Sequence, residues 1–241
     1  MIENSPKPPF HEVRISDDLS IPTYLEQTYW WAYIHPKGVQ FFERQWLVNL
    51  ILWGNFAKLR DVALEEISVS EAGSVLQIAC VYGDFTPKVL AALPKGAMLD
   101  VVDVAPVQLH NLAAKLNGQT NIRLHHQDAN ALTFAKSSYD NVVVFFLLHE
   151  QPAEVRIKTI QEALRVVRPG GKLIMIDYHK PKASNPFRYI MIPILRALEP
   201  FALDMWKNEI VDWVPPDLPI AEARKETYFG GLYQKVILIK E

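Results

Sequence analysis

Apolar and polar positions fall into ordered blocks along the chain. Ser74 to Ile78, Met98 to Asp103, Asn121 to Gln127, Tyr139 to Leu148 and Lys172 to Asp177 each read as a strand. The fourth contains Val142 to Leu148, an unbroken apolar run of the kind that suits a central parallel strand covered by helices on both faces. Between these blocks the period lengthens: Ala153, Ile157, Ile160, Leu164 and Val167 recur at helical spacing. Pro106 to Asn117 predicts another helix, stopped by Gly118. After Gly83, Thr86 reads as an N-cap and Pro87 as the first helical residue. Near the end, Glu222 to Phe229 and Leu232 to Lys240 flank Gly230-Gly231, a hairpin signal. Five strands alternating with helices predict an α/β fold: a doubly wound, mostly parallel sheet with a C-terminal antiparallel hairpin. Its ligand site is expected at the carboxyl ends of the strands.

Composition narrows the class. The 241 residues, 49% hydrophobic, are enough to bury a substantial core. A net charge of −2 gives no reason to expect nucleic acid as a partner. The single cysteine, Cys80, excludes an intramolecular disulfide and fits a reducing, cytoplasmic location. Met1 to Val13 is polar and proline-rich, so residues 1–20 are expected to be a flexible lead and 21–241 one domain. Two greasy stretches frame that domain. Residues 21–60 carry Trp30, Trp31, Tyr33, Trp46 and Trp53, and 182–215 carry Tyr189, Ile190, Ile194, Leu198 and Trp206 beside Arg188 and Arg196. They are expected as a helical lid and a helical insertion over the substrate site; contact with the surface of an inner membrane is the other reading of the same residues.

Candidate chemistry starts at Ser74-Val75-Leu76-Gln77-Ile78-Ala79-Cys80-Val81-Tyr82-Gly83. The segment resembles the first strand and glycine-rich loop of an S-adenosylmethionine (SAM) methyltransferase, which implies a class I methyltransferase-like Rossmann fold. Half its hallmark residues are changed. Gln77 stands where the resemblance expects an acid, and Ala79 and Val81 replace two loop glycines, leaving Gly83. Asp103, 20 residues beyond Gly83 at the end of the second strand, sits near the offset of a ribose-binding carboxylate. The expected cofactor contacts are therefore Gln77, Ala79, Val81, Gly83, Asp103 with the adjoining Val104, and Asp128-Ala129 after the third strand. Cys80 is expected as a small buried residue rather than a nucleophile.

The run Tyr29-Trp30-Trp31-Ala32-Tyr33, the segment Arg44 to Phe56 and the Ala79 to Gly83 loop together resemble the RquA family of rhodoquinone biosynthesis. The likeness extends from about residue 21 to the C-terminus. It implies an enzyme that converts ubiquinone to rhodoquinone by exchanging a ring methoxy group for an amino group from SAM, with Mn2+ as cofactor. A neutral Gln77 would withhold charge stabilisation from the SAM ammonium and leave its nitrogen freer to react. Tyr82 is expected to stack on a ring or donate a proton, and His149 to move protons, so Gln77, Tyr82 and His149 are the catalytic candidates. Asp177 and His179 are the candidate metal ligands, offering carboxylate and imidazole. Two alternatives stay open: an ordinary SAM-dependent methyltransferase acting on a quinone or lipid-like molecule, and a non-catalytic scaffold of quinone synthesis.

Overall fold

A computed structural model describes residues 15, 19–67, 69–70, 73–116 and 118–241. Residues 1–14, most of the expected flexible lead, and Asn117, the expected last residue of a helix, lie outside them. The sheet has seven strands in the order β3-β2-β1-β4-β5-β7-β6. These are β1 (Ser74–Ile78), β2 (Met98–Asp103), β3 (Ile122–His126), β4 (Tyr139–Phe145), β5 (Val167–Tyr178), β6 (Ile220–Tyr228) and β7 (Tyr233–Lys240). The first five run parallel, and β7 inserts antiparallel between β5 and β6. All seven residues of β4 are buried, as its apolar run requires at the centre of a covered sheet. β6 is the edge strand, and its exposed face carries Glu222, Arg224 and Glu226, charges that discourage pairing with another chain.

Among the described residues eight α-helices pack around the sheet: α1 (Thr23–Thr28), α2 (Pro36–Phe42), α3 (Gln45–Ile51), α4 (Phe56–Leu64), α5 (Phe85–Ala92), α6 (Pro106–Lys115), α7 (Ala153–Val166) and α8 (Phe187–Leu198). A wide π turn, Trp30–Ile34, joins α1 to α2, and a single 3-10 turn, Leu148–Glu150, follows β4. α5 starts two residues earlier than its capping signal predicts. Asp84 takes the cap position and Thr86 is buried inside the first turn with its hydroxyl unpartnered. Pro87 remains compatible because the first-turn N–H groups have no helical acceptor to lose. β5 also begins earlier, running straight out of α7. The ladder to β4 passes from Tyr139–Val167 to Asn141–Lys172, so Arg168 to Gly171 bulge out of register around Gly170 at φ +74°.

The strand order reverses direction at β1, between β2 and β4. In a doubly wound sheet the crevice opens at such a point, beyond the carboxyl ends of the strands. Two non-glycine residues there hold left-handed backbone: Ala79 after β1 at φ 70° and Phe146 after β4 at φ 54°. Ala79 thus keeps the loop conformation that a glycine would adopt freely, at a steric cost from its Cβ.

Candidate active site

The crevice holds two cavities that share a wall. A narrow cleft of about 70 Å3 is lined by Ala79, Cys80, Asp103, Val104, Asp128 and Ala129, under Tyr24, Leu25 and Tyr33 from the N-terminal segment. Beside it lies a largely apolar cavity of about 550 Å3, lined by Val81, Tyr82, Phe145, His149 and Tyr178 from the sheet side. Its other side comes from Leu50, Trp53, Met191, Ile194 and Leu198 on and beside α3 and α8. Tyr33, Cys80, Phe146 and Glu150 line both spaces.

The loop after β1 is pinned from several directions. Ala79 N–H donates to Val102 O at 2.9 Å, and Cys80 N–H donates to Asp103 Oδ2 at 2.7 Å. Lys115 Nζ donates to Val81 O, Gly83 O and Glu43 Oε1 at 3.2, 3.1 and 2.8 Å. Glu43 Oε1 also accepts the Gly83 N–H at 3.1 Å, tying the loop to the N-terminal segment. Gly83 is at φ +76°, the one loop position where glycine itself was retained.

The expected cofactor residues separate. Ala79, Asp103, Val104, Asp128 and Ala129 come together along the cleft. Val81 faces the apolar cavity, and Gly83 lines neither space because its backbone is engaged by Glu43 and Lys115. Gln77 also lines neither space. Its side chain is fully buried beneath the loop, where Nε2 donates to Ala79 O at 2.9 Å and Oε1 has no partner. The Asp103 oxygens each accept one backbone N–H, from Cys80 and Ala105, at 2.7 and 2.8 Å. A carboxylate has about four acceptor sites, so two remain for ribose hydroxyls. In chemistry these residues fit SAM. The space between them, about 70 Å3 under Tyr24 and Tyr33, is small for a molecule of that size.

The wall of the apolar cavity carries the acid–base groups. His149 follows β4 and Asp177 is the penultimate residue of β5, so neighbouring strands bring His149 Nδ1 to 2.9 Å from Asp177 Oδ1, an ion pair off the line of a straight hydrogen bond. His149 Nε2 lies 3.8 Å from Glu150 Oε1, which accepts a short hydrogen bond from the Tyr33 hydroxyl. Burial opposes charge on His149, yet Asp177 beside it, with Glu199 and Glu150 nearby, lifts its pKa to about 9. Burial lifts Glu150 to about 8, against the pull of His149. Both shifts run upward, so burial together with the facing carboxylates favours retention of a proton in this corner. Burial pushes the Cys80 thiol up, with Asp103 adding to it, so the thiol stays neutral.

Tyr82 forms part of the cavity wall. Its hydroxyl proton is committed to Ala32 O while the oxygen accepts from Gln108 Nε2 at 2.7 Å, and burial raises its pKa. Its ring stacks against Tyr33 and Phe42, at centroid distances of 5.8 and 6.2 Å. Asp177 and His179 do not form a metal pair. Asp177 turns to His149 and accepts the N–H groups of His149 and Tyr178, whereas His179 Nδ1 is bonded to Gly231 O at 2.8 Å and its Nε2 meets Lys225 at 2.9 Å. Among the described residues no three or more His, Cys, Asp or Glu side chains converge as ligands. The donor set therefore does not match the expected Mn2+ site. Sequence reasoning missed Tyr33, Glu199 and the partnership of Asp177 with His149; only the adjacency of β4 and β5 reveals the last.

Comparison with known proteins agrees with this architecture. A methyltransferase-domain family matches residues 75–171. Demethylmenaquinone methyltransferase of Bacillus velezensis is 26% identical over 155 residues, 64% of this chain and 65% of that protein. The Bacillus subtilis protein of the same name is 25% identical over 155 residues, with the same 64% and 65% coverage. The chain thus spans slightly less than two thirds of these relatives. Among solved structures, a SAM-dependent methyltransferase from Aquifex aeolicus superposes with a TM-score of 0.55 at 16% identity, covering 85% of this chain and 98% of that one. The mitomycin 7-O-methyltransferase MmcR gives 0.61 at 16% identity, covering 86% and 58%. The cyclase SpnF gives 0.53 at 16% identity, covering 76% and 80%. The fold is that of the class I SAM methyltransferases.

Proposed function

We propose that this protein is a SAM-using transferase acting on the ring of a lipid-tailed quinone. The observation that carries the reading is the shared wall: a cleft with a ribose-type carboxylate meets a cavity of about 550 Å3, apolar and large enough for a quinone headgroup, across Tyr33, Cys80, Phe146 and Glu150. Bound in the cleft, SAM supplies the group to be transferred. In the amino exchange, addition to the quinone ring develops negative charge on a carbonyl oxygen; in methyl transfer the attacking ring is a deprotonated quinol whose oxygen carries that charge before the transfer, and His149, set in an apolar wall beside Asp177, is placed to hold either oxyanion. Tyr33 and Glu150, joined by a hydrogen bond, line both spaces and so stand beside the path of the transferred group.

Methyl transfer to the ring is the reading that the relatives' names support. Exchange of methoxy for an amino group, ubiquinone to rhodoquinone, is the second reading. It rests on the Tyr29 to Tyr33 and Ala79 to Gly83 motifs and on the neutral Gln77 at the acid's position. Sharing a fold with a protein named as a cyclase means that the fold alone does not select the transferred group. Incubation of the purified protein with a soluble ubiquinone analogue, a demethylated quinol and doubly labelled SAM decides between them. Heavy carbon in the product marks methylation; heavy nitrogen with loss of a methoxy group marks the exchange. Binding of both ligands with neither label transferred overturns both in favour of a scaffold.

A further inference from the structure

The mouth of the apolar cavity is ringed by large apolar side chains that face solvent. On α3, Trp46 and Leu50 are each 60% exposed and Ile51 is 44% exposed; on α8, Tyr189 is 62%, Ile190 45% and Leu198 49% exposed. Residues 190, 194 and 198 stand four apart, so they form one stripe along α8, while Met191 and Leu195 bury on its inner side. Trp53, just after α3, closes the seam between the two helices: its ring meets Phe187 edge-on at 4.7 Å and its Nε1 donates to Met191 Sδ at 3.2 Å. Leu50, Ile51 and Leu198 are both exposed and part of the cavity lining, so the outer patch is continuous with the inner space.

Charge on the two helices themselves is one-sided, Glu199 at the end of α8 facing the cavity and Glu43 before Arg44 being paired with Lys115. α3 and α8 contain no Asp or Glu, and Arg44 caps the first while Arg188 and Arg196 lie on the second. The whole chain has net charge −2, so the basic rim is a local feature rather than a reflection of composition. Exposed Trp and Tyr beside aliphatic side chains, bordered by arginines, match the boundary of a bilayer, where rings sit at headgroup depth and cations meet anionic lipid. We infer that the α3–α8 face docks on an anionic lipid bilayer, with the mouth of the cavity opening toward the membrane. The entry of a lipid-tailed substrate through that mouth rests on the function proposed above. The docking itself does not, and its test needs no turnover.

The test is co-sedimentation with vesicles of phosphatidylcholine alone or mixed with phosphatidylglycerol, together with sedimentation velocity in their absence. The expected result is binding to the mixed vesicles at least about ten-fold tighter than to phosphatidylcholine, falling as salt is raised. W46S/Y189S, whose side chains line neither cavity, is expected to weaken binding at least about ten-fold while keeping its circular dichroism and unfolding midpoint. R196E alone is expected to lose about five-fold or more on mixed vesicles and little on phosphatidylcholine. Wild-type protein that stays in the supernatant with both vesicles overturns the proposal. So does equal binding by wild type and R196E, or a dimer in solution that W46S/Y189S dissociates, since the patch would then be covered by a second copy.

Discussion

At the residue scale, the proposed chemistry turns on His149. Its pKa in the folded protein, about 9, lies above the value of about 6.5 expected for an unfolded chain. The folded state therefore binds the proton more tightly. Its contribution to stability is complete below about pH 6.5 and is lost as pH rises through about 9. Unfolding midpoints measured across that window should fall with pH, and H149Q should remove part of the slope. D177N should reduce turnover about 100-fold or more while leaving SAM affinity within about two-fold, measured by steady-state kinetics and calorimetry. The loop residues make a separate prediction. Ala79 holds φ 70°, so A79G should relieve strain and raise stability by up to about 1 kcal/mol in urea unfolding. Gln77 donates to Ala79 O from a fully buried position, so Q77E replaces a donor with an acceptor facing a carbonyl and should cost about 1 to 3 kcal/mol.

At the element scale, Arg156 of α7 decides where the His149 turn sits. The side chain is fully buried. Its Nε donates to Leu148 O at 2.7 Å and its Nη2 to Gln151 O at 2.8 Å, gripping both ends of the Leu148–Glu150 turn. The same Nη2 reaches Phe201 O at 3.2 Å, and the guanidinium lies 4.5 Å from the Trp213 ring centroid. One cation thus joins α7, the Leu148–Glu150 turn and the segment after α8. R156M should destabilise the fold by about 3 kcal/mol, because three carbonyls lose a charged donor. In periodicity, Arg156 is a charge on a helix with an apolar face at Ile160 and Leu164. The α7 pattern was therefore legible, but burial of a charge was not, since the carbonyls that satisfy it come from loops far along the chain. The fourth and fifth strands were readable for the opposite reason: unbroken apolar runs report burial on both faces directly.

At the scale of the whole molecule, the N-terminal segment couples the two cavities. Tyr24 and Leu25 roof the cleft, Tyr33 belongs to both spaces, and Glu43 holds the Gly83 N–H. Seating SAM in so narrow a cleft is expected to displace α1 and the following π turn. Hydrogen exchange should quicken over residues 23–34 on addition of SAM and slow over 79–83 and 127–129. The unfolding free energy should rise by about 2.7 kcal/mol at a ligand concentration a hundred times its Kd. A SAM complex in which residues 23–34 keep their exchange rates would show that the cleft admits its ligand without this displacement.

The amino-acid sequence by itself determined the layered α/β architecture, because hydrophobic period is a local property that reports how each segment is covered. It also marked Asp103, Asp128 and the altered loop, since these stand at strand ends with recognisable spacing. Tertiary structure alone decided what those residues face. Gln77 and Gly83 were drawn away from the cleft by hydrogen bonds to the loop and to Glu43, and Asp177 was turned from His179 to His149 by strand pairing. The physical reason is common to all three. Side-chain direction and partner choice depend on residues brought together from distant parts of the chain, and no local pattern encodes that meeting.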